Sequence, residues 1–176
     1  MKMNKKNNVT FGIYNSDEIS AELYYCIDKS LYEVYLNHYY LIEKHVHERS
    51  IVFWFGIYFN KCLQETRYKE YNLDFEYNRN SDDVKRTKNF KEGTYPDLIL
   101  HKRGSNKDNI LVLEFKTWWN KNNDRDKKKL EDFLNQDGEY RYKYAASIVL
   151  KRKRPEVRIS KEKENERESA ERDGRG

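Results

Sequence analysis

Two carboxylates and one lysine stand in a short part of the chain, at a spacing that could support metal-dependent chemistry. Asp97 precedes an apolar run, and Glu114 and Lys116 end the next one. Carboxylate oxygens suit Mg²⁺ and Mn²⁺, which keep several waters and accept substrate phosphate. A neighbouring ammonium could orient or help to deprotonate an attacking water, or stabilise charge on phosphorus. These residue types therefore indicate a phosphodiesterase centre.

A β-hairpin is the element that must bring these side chains together. Within the segment Tyr95 to Thr117, two apolar runs flank the polar, glycine-containing stretch Lys102 to Asn109. This pattern predicts two strands joined by a longish loop. With the loop centred in that stretch, Asp97 lies opposite Glu114, and opposed residues point to the same side of a sheet. Both acids and the lysine should converge, unless the register slips by one residue.

Two short segments together resemble the motif of the PD-(D/E)XK nuclease superfamily. They are the PD pair that ends at Asp97 and the EFK triplet that ends at Lys116, and each lies beside an apolar strand. A wider similarity runs from Asp74 to Tyr144, through DFEYNRNSDDVKR, PDLILHKRG, NILVLEFK, DRDKKKLEDFL and YRYKYA. The proteins that share this similarity form an uncharacterised branch of restriction-endonuclease-like proteins, with a DxEYNR, PD and ExK pattern. The resemblance implies an α/β fold with an αβββαβ core, in which helices flank a mixed central sheet.

The resemblance also implies roles for individual residues. Asp97, Glu114 and the backbone carbonyl of Phe115 would bind Mg²⁺, for which Mn²⁺ can substitute, and Lys116 would position the nucleophilic water. The implied reaction displaces a 3′ oxygen and leaves a 5′ phosphate. The expected activity is that of a Mg²⁺-dependent endodeoxyribonuclease, with RNA not excluded as a substrate.

A helix before the hairpin supplies a further acid. Apolar residues recur at helical spacing within 45–64, and one turn before the first of them stands Glu48. In many PD-(D/E)XK proteins a glutamate on the first core helix completes the metal site, and Glu48 matches that position as a metal ligand and catalytic residue. An acid at a helix start is also favoured by the helix dipole, so both interpretations stay open.

Basic residues outside the motif are candidates for contacts with nucleic-acid phosphates, which need charge but carry no sequence code. The candidates are Arg79, Lys85, Lys88, Lys151 and Arg152. Arg79 follows a strand, Lys85 and Lys88 belong to a predicted basic loop, and the last two open a basic cluster. For Arg79 and for the cluster, solvated surface charge is the alternative interpretation.

Length and charge limit the class of protein. The chain has 176 residues, a formal net charge of +5, and 15 Tyr, 8 Phe and 3 Trp. The aromatic content indicates a folded core, and the length suits one domain, which we assign to 16–160. Residues 1–15 are predicted to be a mobile N-terminus and 161–176 a charged flexible tail.

The cysteines and the apolar runs bear on location. Cys26 and Cys62 are isolated, with no zinc spacing and no disulfide framework, which favours a reduced, cytoplasmic setting. No segment has the pattern of a secretory signal or a membrane span, so no membrane partner is expected.

The remaining elements follow from periodicity and turn residues. In chain order we predict helices over 16–38 and 45–64, a strand over 73–77, the hairpin, a helix over about 124–138, a strand over 142–150 and a short edge strand near 157–159.

Two function classes are compatible with these features. The first is the DNA endonuclease. The alternative is a catalytically weak or inactive nuclease-fold protein that acts as a nucleic-acid-binding or interaction module in a defence or mobile-element system. A homodimer or a protein partner is an expectation from the resemblance, because many related enzymes pair to cut both strands.

Overall fold

A computed structural model describes residues 13–15, 19–80, 82–120 and 124–162, with the backbone alone for 13–15. Its elements are β1 (Ile13–Asn15), α1 (Ala21–Asn37), α2 (Tyr39–Glu43), α3 (Glu48–Leu63), β2 (Asn72–Phe75), β3 (Arg79–Asn80), β4 (Asp83–Val84), β5 (Leu98–His101), β6 (Leu111–Thr117), α4 (Asp124–Leu134), β7 (Tyr144–Leu150) and β8 (Glu156–Lys161).

The centre of the fold is a six-stranded mixed sheet in the order β1-β8-β7-β6-β5-β2. The pairs β1 with β8 and β6 with β7 are parallel, and the other neighbours are antiparallel. The short strands β3 and β4 form a separate ribbon. The prediction of an α/β fold with a mixed sheet flanked by helices is confirmed.

The two faces of the sheet carry different helices, because side chains alternate along each strand. On one face, Leu98, Leu113 and Phe115 belong to the large core that includes the buried stripes of α1 and α3. On the other face, Ile99 and Val112 belong to a smaller core that includes α4. Residues at alternate positions of β5 and β6 are thus held between the sheet and α4.

The helices begin where local capping allows. The predicted start of the first helix at residue 16 lies outside the described residues, and α1 begins at Ala21, where Leu23 N–H donates to Ser20 Oγ at 3.4 Å. The helix predicted over 45–64 is confirmed as α3 with a later start, after the N-cap His47. The five-residue helix α2 was not predicted, since it is too short to show a periodic pattern.

The interpretation of the cysteines was wrong. Cys26 of α1 and Cys62 of α3 form a disulfide, with a Cα to Cα distance of 5.5 Å. The two lie 36 residues apart, so no local spacing predicts the bond; it follows from the packing of the two buried stripes. The argument from free cysteines to a reducing compartment therefore fails.

The ends of the predicted domain also need correction. Residues 13–15, assigned to a mobile N-terminus, form β1 and pair with β8, so β8 is an inner strand and not the predicted edge strand. Lys161, assigned to the tail, ends β8. The rest of the predicted tail lies outside the described residues, except Glu162. Among the helices described, none has the length and apolar character needed to cross a membrane.

Candidate active site

The register of the hairpin places the two predicted acids side by side. Leu98 pairs with Leu113 in the antiparallel ladder of β5 and β6. Continuing this register by one residue sets Asp97 opposite Glu114, as predicted from the loop. Lys116 lies two residues beyond Glu114 on β6, and therefore on the same face, which is the face covered by α4.

Asp97 is fixed by the neighbouring strand. The backbone N–H of Phe115 donates to Asp97 Oδ2 at 2.6 Å, which orients the carboxylate toward β6. Burial raises the pKa of Asp97, and this hydrogen bond opposes the rise. The Phe115 ring points to the opposite face and packs against Phe55 of α3, with ring centroids 4.9 Å apart. Only the backbone of Phe115 is therefore available to the site, as the predicted role requires.

Glu114 is the most buried acid of the site, with 3% of its surface exposed. Burial raises its pKa well above the ordinary value, and the charge of Asp97 raises it further. Its Oε1 is buried and has no hydrogen-bond partner among the described residues. A buried carboxylate oxygen without a donor is costly, so this atom is suited to a cation.

The helix α4 contributes two charged residues that sequence reasoning missed. Lys129 Nζ lies 2.8 Å from Glu114 Oε2, and it also donates to the Tyr95 carbonyl at 3.1 Å. Asp126 Oδ2 lies 2.7 Å from Lys116 Nζ, so the two groups form an ion pair. Their angles do not meet the geometry of a hydrogen bond. The sequence did contain a signal that these two side chains face the sheet. Asp126 and Lys129 each stand one helical turn before a buried residue of α4, Leu130 and Phe133 respectively.

Glu48 reaches the same end of β6 from the other helical layer. It is the first residue of α3, and its Oε2 accepts a hydrogen bond from Thr117 N–H at 2.8 Å. Burial raises the pKa of Glu48, with a further contribution from the charge of Asp97, and the charge of Lys116 lowers it. The charge of Asp97 thus acts on Glu48, on Glu114 and on Lys116, which connects the three predicted acids and the predicted lysine.

A cleft opens beside these acids, with a volume of about 260 Å³. Its lining residues are Glu48, Arg49, Val52, Phe53, Phe75, Glu76 and Asp97. Arg49 and Glu76 pair at 2.5 Å across the cleft wall. Two of the apolar walls, Phe53 and Phe75, are 52% and 42% exposed. A substrate could therefore reach Asp97 and Glu48 from solvent.

The side chains at this site offer the oxygen donors that Mg²⁺ prefers, but the number of such side chains is small. Asp97 and Glu114 offer carboxylate oxygens on one face, one of them unpartnered. Among residues 19–80, 82–120 and 124–162, however, no group of three or more His, Cys, Asp or Glu side chains is placed to hold a metal ion. The ammonium groups of Lys116 and Lys129 instead neutralise acids within the site.

The basic candidates are divided by exposure. Arg79, Lys88, Lys151 and Arg152 are exposed. Because β6 and β7 are parallel and Thr117 pairs with Leu150, Lys151 and Arg152 follow at the sheet end where Glu48 contacts β6. Lys85 lies in the predicted loop, just after β4, but it is 2% exposed, under aromatic rings that come mostly from residues far along the chain.

The acids of the DxEYNR stretch lie in structural pairs. Asp74 Oδ2 lies 2.8 Å from His101 Nε2 and also accepts from Arg103 Nε at 2.8 Å. Glu76 pairs with Arg49, as described above. Neither acid is directed by these contacts to Asp97 or Glu114, and no catalytic role is assigned to them.

Comparison of the chain with protein-family models, curated proteins and solved structures finds no match to any of them. The relationship to PD-(D/E)XK nucleases therefore stays a prediction from the motif and from the geometry around it.

Proposed function

We propose that this chain is a metal-dependent nuclease of the PD-(D/E)XK type that hydrolyses phosphodiester bonds in DNA. In this proposal α3, β2, β5, β6, α4 and β7 form the αβββαβ core. The observation that carries it is the register that sets Asp97 opposite Glu114, with Lys116 on the same face. Carboxylates at ordinary strand ends are solvated. Asp97 and Glu114 are buried instead, and Glu114 Oε1 has no hydrogen-bond partner among the described residues.

Each residue has a role that its contacts support. Asp97, Glu114 and the Phe115 carbonyl would hold Mg²⁺ or Mn²⁺, which would supply Lewis-acid stabilisation and a more acidic bound water. Glu48 would orient waters at the end of β6. Burial lowers the pKa of Lys116, but Asp126, Glu48 and Asp97 together raise it, so the pKa is raised overall. A lysine that stays protonated donates hydrogen bonds, which favours positioning of the water or phosphate over proton abstraction.

The alternative function is a binding module that retains the fold without efficient cleavage. The ion pairs of Lys129 with Glu114 and of Lys116 with Asp126 favour this alternative, because they neutralise the acids without a metal. In that case the exposed Lys151 and Arg152 would contribute to affinity for nucleic acid, and the carboxylates would serve stability alone.

Cleavage and metal binding together test the proposal. Supercoiled, linear and single-stranded DNA are incubated with Mg²⁺, Mn²⁺ or EDTA, and Mn²⁺ binding is measured by calorimetry. Asp97→Asn keeps an oxygen that can accept from Phe115 N–H but removes the charge. It should abolish Mn²⁺ binding and slow cleavage by about 100-fold or more. Asp108→Asn, an exposed change in the same hairpin, is the matched control and should cut normally.

A second pair of variants tests the lysine. Lys116→Met should lose cleavage and retain Mn²⁺ binding, and Lys127→Met, at an exposed position of α4, should keep both. Cutting that persists in EDTA or in Asp97→Asn would exclude this site as the nuclease centre. Absence of cutting and of Mn²⁺ binding in the unaltered protein, with DNA still bound, would establish the binding module instead.

A further inference from the structure

Lys85 is a buried cation that has no anionic partner in the part of the chain that the structure describes. Its side chain is 2% exposed, and none of the ion pairs or side-chain hydrogen bonds among the described residues involves its ammonium group. Taking an ammonium group out of water is costly unless an opposite charge or several acceptors replace the lost hydration. The surroundings of Lys85 should therefore show what compensates this charge.

Aromatic rings cover the ammonium but cannot accept its hydrogen bonds well. The Nζ atom lies 5.3, 5.7, 5.0 and 5.9 Å from the ring centroids of Tyr77, Phe133, Tyr140 and Tyr142, respectively. Cation–π attraction offsets part of the desolvation cost. The buried hydroxyl of Tyr142 also lacks a hydrogen-bond partner among the described residues. The rings thus form an electron-rich wall around the ammonium, and no carboxylate of residues 19–80, 82–120 or 124–162 pairs with it.

The two acids whose charges act on Lys85, Asp74 and Glu139, are already engaged. Asp74 is held by His101 at 2.8 Å and by Arg103, and Glu139 Oε1 accepts from Asn80 Nδ2 at 2.5 Å. Neither lies within ion-pair distance of Lys85 in the described structure. The positive charge therefore has no anionic partner among the described residues and is open to a bound anion.

A small polar pocket gives access to this charge. Lys85 lines it together with Tyr77, Arg79, Asn80, His101 and the loop residues 104–106. Its volume is about 20 Å³, and a space of roughly 10–15 Å³ is enough for one water-sized atom. Arg79 is exposed, so its guanidinium can approach a ligand at the mouth. The pocket has room for one oxygen of a larger anion. The other oxygens of that anion would contact donors outside the pocket.

We propose that this pocket binds a phosphate-type oxyanion. One oxygen would lie against Lys85, and the remaining oxygens would meet Arg79 and the Ser105 hydroxyl, because guanidinium and hydroxyl donors suit an anion with several oxygens. His101 is four residues after Asp97, about 13 Å along a strand, so this pocket is separate from the candidate active site. The inference does not depend on the proposed nuclease activity.

Binding of inorganic phosphate tests the pocket directly. Calorimetry is performed at neutral pH and constant ionic strength, in EDTA, with the unaltered chain, Lys85→Met and Lys69→Met. Methionine fills the aromatic surroundings without a charge. Lys69→Met removes the same charge from an exposed turn between α3 and β2 that does not line the pocket, and it is the matched control. Lys85→Met should weaken phosphate binding about tenfold or more, and Lys69→Met should not change it.

A second arm identifies the source of the phosphate. Binding of a short single-stranded oligonucleotide is followed by fluorescence anisotropy in the same buffer, with thermal unfolding recorded to verify that each variant is folded. Loss of oligonucleotide affinity in Lys85→Met indicates a backbone phosphate of nucleic acid, and loss of inorganic phosphate binding alone indicates a free or terminal phosphate. If the folded Lys85→Met variant binds both ligands as the unaltered chain does, or the unaltered chain binds neither, the proposal is wrong.

Discussion

Lys129 Nζ lies 2.8 Å from Glu114 Oε2, so α4 neutralises the most buried carboxylate of the β5–β6 hairpin. Both side chains are well shielded, with 12% and 3% of their surfaces exposed. Burial and the charge of Asp97 raise the pKa of Glu114, and Lys129 opposes that rise. A divalent cation at Glu114 would meet the free Oε1, since Oε2 is already engaged.

Replacing Lys129 by methionine tests this relationship. Removing one partner leaves Glu114 buried and unpaired, and such a change costs about 3–5 kcal/mol when the remaining group stays charged. Lys129 lowers the pKa of Glu114, so its loss should raise that pKa further. The destabilisation should therefore be large at alkaline pH and should shrink as the pH falls through the raised pKa, where Glu114 takes up a proton.

Urea unfolding at several pH values measures the cost, and carboxyl ¹³C NMR measures the Glu114 pKa. Lys127→Met, an exposed change on the same helix, should leave both unaltered. A Glu114 pKa that stays the same or falls in Lys129→Met would contradict the assigned pair.

The disulfide between Cys26 and Cys62 predicts a strong dependence of stability on oxidation. The bond closes a loop with a sequence separation of 36 residues. In the chain-entropy description, a loop of this length stabilises the fold by about 3–4 kcal/mol. Reduction of the unaltered chain should lower the free energy of unfolding by that amount, and the Cys26→Ala, Cys62→Ala double variant should not respond to reductant.

Alkylation under denaturing, non-reducing conditions followed by mass spectrometry provides the direct check. No thiol should be modified in the oxidised chain, and two should be modified after reduction. Two alkylated cysteines without reductant would show that the helices are joined by packing alone.

The sequence was most informative where a pattern is local. Centring the hairpin loop between its apolar flanks predicted Asp97 opposite Glu114, and the observed ladder has this register when it is continued by one residue. The burial of Lys85 has no such signal. The burial of Lys85 depends on the rings of Phe133, Tyr140 and Tyr142, which lie far along the chain. These rings contact Lys85 because α4 packs on the sheet. The disulfide depends in the same way on the packing of α1 with α3.

Lys85 should lower the stability of the fold at neutral pH. Burial lowers its pKa from 10.5 to about 8, although the charges of Asp74 and Glu139 oppose the change. A difference of this size corresponds to about 3 kcal/mol. Below pH 8 the folded chain carries the full cost of the buried charge. Between pH 8 and 10.5 the folded state releases the proton while the unfolded state keeps it, so the free energy of unfolding rises with pH.

Lys85→Met should remove this dependence. At neutral pH the variant should be more stable than the unaltered chain, by up to about 3 kcal/mol, since the rings then surround an apolar side chain. The difference should shrink as the pH approaches 10.5, where the unfolded lysine also loses its proton. Urea unfolding of both chains across this range measures the difference, in which the effects of other titrating groups largely cancel. A constant difference would show that folding does not lower the pKa of Lys85, and a variant that is less stable at neutral pH would show that the ammonium contributes favourably to the fold through its aromatic neighbours.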